Sequence, residues 1–216
     1  MKQFKIIFTA VIGLWVVYSC NSITSGGKGG GANKYLPPVD YVKWIQDKDN
    51  GIKKEKVIDD IVYEIQYKPY EYIVCMEERK EKLADSVVKK KVEEINDMQY
   101  YDLTISLNSG SGELLKYGVT AYDQYDKRIK YVSFDMQNDI SLVEDGDTIP
   151  CSLFHFERVY DVAPYAKFLL GFAKGKKDSP QQSVIVFDDK LFNQGLIKMT
   201  YSHEEISNIP KLKTND

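Results

Sequence analysis

Two stretches of the chain alternate apolar and polar residues with a period of two, and no other feature limits the fold as strongly. Ile61, Tyr63, Ile65 and Tyr67 alternate with Asp60, Val62, Glu64 and Gln66, and Tyr101, Leu103, Ile105 and Leu107 alternate with Asp102, Thr104, Ser106 and Asn108. Successive side chains of a strand point to opposite faces, so each stretch reads as a strand with one face buried and one wetted. The first is expected over 57–67.

Further strands are expected near 129–136, 139–143, 148–157, 166–173, 183–188 and 195–201, separated by turn-forming residues such as Glu144-Asp145-Gly146-Asp147 and Asn193-Gln194-Gly195. Ser109-Gly110-Ser111-Gly112 has the composition of a turn. Residues 41–45 fit a short strand or a turn of helix. Asp47-Lys48-Asp49-Asn50-Gly51 reads as a hairpin-type turn, because Asn-Gly readily supplies positive φ. Between the two alternating stretches, 77–97 is charged and free of Gly and Pro. Leu83, Val87, Val88, Val92 and Ile95 lie on roughly one stripe there, which predicts an amphipathic helix. Many short strands, one prominent helix and no repeated βαβ rhythm predict a mostly β fold, with α+β as the wider class. The architecture expected is an antiparallel β-sandwich, or a sheet with one amphipathic helix packed on it.

The first residues obey different rules. Lys2 and Lys5 precede an apolar run over 6–17, then Tyr18, Ser19 and Cys20. About 12 apolar residues make a helix of roughly 18 Å, well short of the ~30 Å hydrocarbon core, so a spanning helix is not expected. Charge followed by a short apolar run is the pattern of an export signal. Val17-Tyr18-Ser19-Cys20 resembles the lipobox of a bacterial lipoprotein signal peptide. That resemblance implies cleavage after residue 19 and a diacylated Cys20 as the mature N-terminus. The alternative is an ordinary secretory peptide in which Cys20 is an incidental thiol. Residues 20–34 carry the lipidated Cys and a Gly/Ser-rich flexible tether, and 35–216 is expected to form a single β-rich domain. Gly26-Gly27-Lys28-Gly29-Gly30-Gly31 is not a phosphate loop, since neither Ser nor Thr follows the Lys.

Asn21 after the Cys is similar to outer-membrane sorting signals rather than to the Asp associated with inner-membrane retention. The Lys-, Ile-, Asn- and Tyr-rich composition resembles that of Bacteroidota proteins. Surface export in that phylum tends to use acidic residues just after the Cys, and residues 21–24 supply none. The location expected is therefore the outer membrane, with the periplasmic face favoured over the cell surface.

Removing residues 1–19 leaves 197 residues and moves the formal charge from −3 to −5, an acidic balance that argues against nucleic acid as a partner. Cys75 and Cys151 lie in apolar surroundings. Paired, they would close a loop worth up to about 4 kcal/mol in the chain-entropy account. Unpaired, they are two buried thiols. No C-x-x-C spacing occurs, so no zinc ribbon or thioredoxin-like site is expected.

Chemistry-bearing motifs are sparse, and no metal cluster or cofactor is expected. His155 and Glu157 share one face of an expected strand, which makes a proton-handling pair or an edge salt bridge conceivable. His203 follows Ser202 as the first turn of a short capped helix. No G-x-S-x-G occurs. Tyrosine is in excess, at 16 of 216 residues, clustered at Tyr63, Tyr67, Tyr70, Tyr72 and at Tyr117, Tyr122, Tyr125, Tyr131. Tyrosine suits interfaces and sugar-binding faces, and it is also a good strand former.

Three functions remain open on sequence alone. The leading one is a non-catalytic interaction or accessory protein of the envelope, held at the membrane by its lipid anchor and bound to a protein partner there. The second is a module that binds carbohydrate or another small ligand. The third is an envelope hydrolase using a carboxylate pair.

Overall fold

The computed structural model describes residues 34–157, 164–177 and 179–216. The signal-like segment, Cys20 and residues 21–33 lie outside them. Both alternating stretches are strands, β3 (Ile61–Lys68) and β4 (Met98–Leu107), paired antiparallel with Tyr63 opposite Ile105 and Tyr67 opposite Tyr101. They join β2 (Lys53–Ile58), β5 (Ile140–Glu144), β6 (Asp147–Glu157), β7 (Tyr165–Ala173), β8 (Gln182–Asp189) and β9 (Gly195–Ser202). Together these make one eight-stranded antiparallel sheet in the order β2-β3-β4-β7-β6-β5-β8-β9. The fold is mostly β, with helices packed at the sheet.

The sheet turns back on itself, and its two halves share one core. Leu103, Ile105, Phe168 and Phe172 from one half lie in the same buried cluster as Ile185, Phe187, Ile197 and Tyr201 from the other. Tyr63 and Phe187 approach ring to ring at 6.3 Å, and Tyr201 donates its hydroxyl to the Ile65 carbonyl at 2.9 Å. Strand β6 forms the corner, pairing with β5 at its start and with β7 at its end, with a bulge between Cys151 and Leu153 that lets it bend. Gly171 faces that corner. A Cβ there would sit 2.8 Å from the Leu153 Cβ, so any larger residue would force the strands apart.

The edge strands β2 and β9 approach without forming a ladder. Lys54 lies over the Tyr201 ring, 5.5 Å from its centroid, and pairs with Glu205. Charged edge side chains of this kind discourage strand addition by another chain.

Three sequence expectations need correction. The strand expected over 57–67 is a hairpin, turning at Asp59 and Asp60 with Asp59 at φ 51°. Strand β2 was invisible because Lys-Lys-Glu-Lys lies on a sheet edge and has no core face to advertise. The single helix expected over 77–97 is two, α2 (Tyr70–Glu78) and α3 (Asp85–Ile95). Arg79 takes a left-handed conformation and breaks the helix, so that Tyr72, Val74 and Cys75 of α2 reach the same cluster as Leu83 and Val88. The strand expected near 129–136 is helical: α4 (Tyr122–Lys130) runs on through a π-type turn over Tyr131–Asp135 into a 3-10 turn over Met136–Asp139. Val132 and Met136, four residues apart, are both fully buried, which is a helical spacing hidden among β-branched and aromatic residues.

Residues 41–45 fall in a helix, α1 (Pro38–Gln46), with Pro38 at its first turn. The turn after it connects α1 to β2 rather than two strands, with Gly51 at φ 75°. A second buried cluster combines Tyr41 and Ile45 of α1 with Tyr72, Val74 and Cys75 of α2 and Leu83 and Val88 near α3. Tyr67 and Ile206 pack against both clusters.

The C-terminal segment closes this end as a strap. Its β10 (Lys211–Leu212) pairs in parallel with β1 (Tyr35–Leu36). Farther on, Asn215 donates to the Leu83 carbonyl and accepts from the Asp85 amide, each at 2.9 Å. Among the described residues no helix is long and apolar enough to cross a membrane.

Candidate functional site

The structure separates the residues singled out by sequence. Cys75 and Cys151 are both free and buried, one in each hydrophobic cluster, so the disulfide alternative is not formed. Burial pushes both thiols up to about 11, aided at Cys75 by the nearby Glu71. His155 and Glu157 lie exposed on the outer face of β6, as their spacing requires, but no hydrogen bond or ion pair joins them. Glu157 instead lies 3.6 Å from Lys167 on β7.

That outer face is an ionic lattice. Asp102 is buried and meets Lys68 at 3.0 Å and Lys167 at 3.2 Å, while Glu64 meets Lys53 at 2.8 Å. Burial works against the Lys167 charge, yet Asp102 and Glu157 outweigh it and hold the ammonium above its usual pKa. The lattice stores paired charge and offers no unpaired acid or base beside His155. Among the described residues no group of three or more His, Cys, Asp or Glu side chains could hold a metal ion.

His203 begins α5 (His203–Ser207), where Ser202 accepts from the Glu205 amide and the Glu205 side chain accepts from the Ser202 amide at 2.8 Å. This capping box fixes the last helix beside the strap.

The tyrosines divide by environment rather than by their order in sequence. Tyr63 and Tyr72 are buried, Tyr67 and Tyr70 half-buried, and Tyr117 and Tyr122 exposed at the opposite end of the sheet. Among the buried rings, Tyr63 donates to Asp189 at 2.7 Å, Tyr201 donates to Ile65, and Tyr72 accepts from Gln46 at 3.1 Å. Tyr41 and Tyr101 differ. Each is only 1 % exposed, and among the described residues neither hydroxyl has a hydrogen-bond partner. Among the described residues no buried side-chain oxygen lacks both a partner and access to open space, so what remains accessible on these two residues is the hydroxyl.

Both residues line cavities. A cleft of about 730 Å³ is bounded by α3, the strap, Tyr35, Tyr41, Tyr67 and Glu71. A smaller cavity of about 210 Å³ is bounded by Tyr67, Gln99, Tyr101, Tyr201, Ser183 and His203. Tyr67 and Ile206 form the wall common to both. The Tyr67 ring packs 5.3 Å from Tyr101 and 6.4 Å from Tyr201, which fixes its orientation. Its hydroxyl, too, lacks a hydrogen-bond partner among the described residues.

Burial raises the pKa of all three phenols, with added repulsion from Glu71 at Tyr41 and from neighbouring tyrosines at Tyr67 and Tyr101. They therefore stay neutral at physiological pH, each able to donate one hydrogen bond and accept others. Apolar walls from Val88, Val92, Ile209 and Leu212 complete the larger cleft. An apolar lining with a few convergent polar groups is the usual constitution of a small-ligand site.

Sequence reasoning missed this site because its walls come from α1, the end of β3, α2, α3 and the strap. The one local signal was Tyr67 in core phase at the end of β3, opposite Tyr101.

No family model and no curated protein matches the chain. Among solved structures, the chain is similar to the crystal structure of a DUF4426 family protein from Pseudomonas aeruginosa. The match has 9% sequence identity and a TM-score of 0.33, covering 70% of this chain and 92% of the other.

Proposed function

We propose that the protein is a lipoprotein of the outer membrane that acts there as a non-catalytic binding component, and that its ligand site is the tyrosine-walled cleft. The observation that carries this reading is that Tyr41 and Tyr101, each almost fully buried, line adjoining cavities with hydroxyls that have no hydrogen-bond partner among the described residues. A ligand that bonds to such a hydroxyl exchanges one hydrogen bond for another and gains about 0.5–1.5 kcal/mol net. The lipobox-like Val17-Tyr18-Ser19-Cys20 supports the anchor. Tyr35, which follows the tether directly in sequence, lines the cleft.

A thermal-shift screen of the full chain against sugars, amines and short peptides tests the site. A stabilising compound is expected whose effect disappears in Val92→Trp, which fills the cleft from α3. Equal stabilisation of that variant by every hit would place binding elsewhere. Cys20→Ala is expected to leave the membrane fraction, and its retention there would remove the anchor.

A protein partner, as the accessory role requires, finds its support at the other end of the sheet. Tyr122 is 84% exposed and Phe134 77%, with Tyr117 also exposed nearby in sequence. Exposed aromatic side chains of this kind are enriched at protein interfaces. Crosslinking from intact membranes is expected to recover one specific protein, lost on Phe134→Ser. Recovery unchanged by that substitution would remove this surface from the account.

A further inference from the structure

We infer that the larger cleft takes an organic ammonium group carried on an apolar body, with Glu71 as its counter-ion. This rests on the reading of the cleft as a ligand site and adds the chemical class of the ligand.

Glu71 is half-buried in the cleft wall, and among the described residues its carboxylate makes no ion pair and no hydrogen bond. It lies close enough to Tyr41 and Tyr67 to oppose ionisation of both phenols. Its place in the first turn of α2 lets the helix dipole offset part of its charge, yet no backbone amide bonds to it. The other charges of the wall are differently disposed. Lys89 is held by Asp85 at 2.6 Å, and Lys211 lies over the Tyr35 ring at 5.9 Å. Glu93 is again without an ion pair among the described residues. Two carboxylates without an ion pair thus stand against one such ammonium, Lys211, and the balance of the cleft wall is acidic.

The surroundings suit a cation better than a neutral hydroxyl compound. Tyr35, Tyr41 and Tyr67 line the cleft together, and the Lys211 contact shows that an ammonium already settles on one of these rings. The neutral phenols of Tyr41 and Tyr67 can accept from an N–H donor while Glu71 supplies the opposite charge. Val88, Val92 and Leu212 receive the apolar part of the ligand.

The test is calorimetric titration of the full chain with three probes of one shape: 2-phenylethylamine, 2-phenylethanol and phenylacetate. The amine is expected to bind about ten-fold more tightly than the alcohol, as a charge-assisted contact of ~1.4 kcal/mol requires, and the acid more weakly than either. In Glu71→Gln the amine's advantage over the alcohol is expected to vanish. If amine and alcohol bind equally to the wild-type chain, the ammonium proposal fails while the ligand cleft stands. If no probe binds at millimolar concentration, both fail. An advantage that survives in Glu71→Gln removes Glu71 as the counter-ion and overturns the proposal.

Discussion

Buried tyrosine is treated differently between the halves of the sheet and at two positions of the cleft end, although Tyr72 and Tyr201 at that end keep partners. Between the halves of the sheet, Tyr63 donates to Asp189, and the same carboxylate accepts from the amides of Leu191, Phe192 and Gln194 at 2.9, 3.1 and 3.2 Å. Among the described residues no buried side-chain oxygen or nitrogen there is left without a partner, as the low dielectric demands. Tyr101, farther along the same cluster as Tyr63, and Tyr41 in the second cluster are just as buried, but among the described residues their hydroxyls have no partner and the two residues line cavities. Both regions hold rings of the same size at similar depth, so the difference lies in what each region must do. The first holds the halves of the sheet together, and the second supplies the bonding capacity that the proposed ligand would use.

The sharpest way to break this contrast is at Asp189, which is 2 % exposed. Asp189→Ala leaves one phenol and three amides short of an acceptor, and is expected to cost about 3 kcal/mol or more in urea unfolding. A loss below about 1 kcal/mol would show that the inter-sheet network contributes little.

Ser202→Ala removes one half of the capping box beside the strap and is expected to cost about 1 kcal/mol, with the loss confined to local opening of α5 in hydrogen exchange. Protection lost across β3 and β4 as well would mean that the strap and the main core are not separable.

Titration gives a finer comparison. Buried phenols and thiols have folded pKa values above their unfolded ones, so their contribution is complete below the unfolded pKa and falls as pH rises. Stability is therefore expected to decline from about pH 8.5, where unfolded cysteine ionises, and more steeply beyond about pH 10, where unfolded tyrosine does. Cys75 and Cys151, both raised to about 11, are expected to resist alkylation at neutral pH until the chain unfolds. Rapid labelling of either in the native protein would contradict its burial.

Much of the sheet was legible in the sequence because its central strands bury one face. β3, β4 and β5 to β9 each announce themselves by alternation or by a turn such as Asp145-Gly146. Position in the fold, rather than propensity, decided the rest. Lys53 to Lys56 carry no pattern because the edge strand they form buries little. Ile129, Val132 and Met136 look like strand residues and form a helical plug because the sheet end needed covering. The capping box at Ser202 could be read from four residues. The cleft could not, since Tyr41, Tyr67, Glu71 and Leu212 meet only after the strap has paired with β1.

The central claim is that the hydroxyls at the cleft serve a ligand and those at the inter-sheet core serve the fold. Removing single oxygens tests it most directly, by measuring unfolding free energy for Tyr63→Phe, Tyr41→Phe and Tyr101→Phe side by side. Tyr63→Phe is expected to cost about 1–2 kcal/mol, while Tyr41→Phe and Tyr101→Phe stay within about 0.5 kcal/mol of the parent or gain slightly. Losses at Tyr41 and Tyr101 equal to that at Tyr63 would make all three hydroxyls structural and contradict the account.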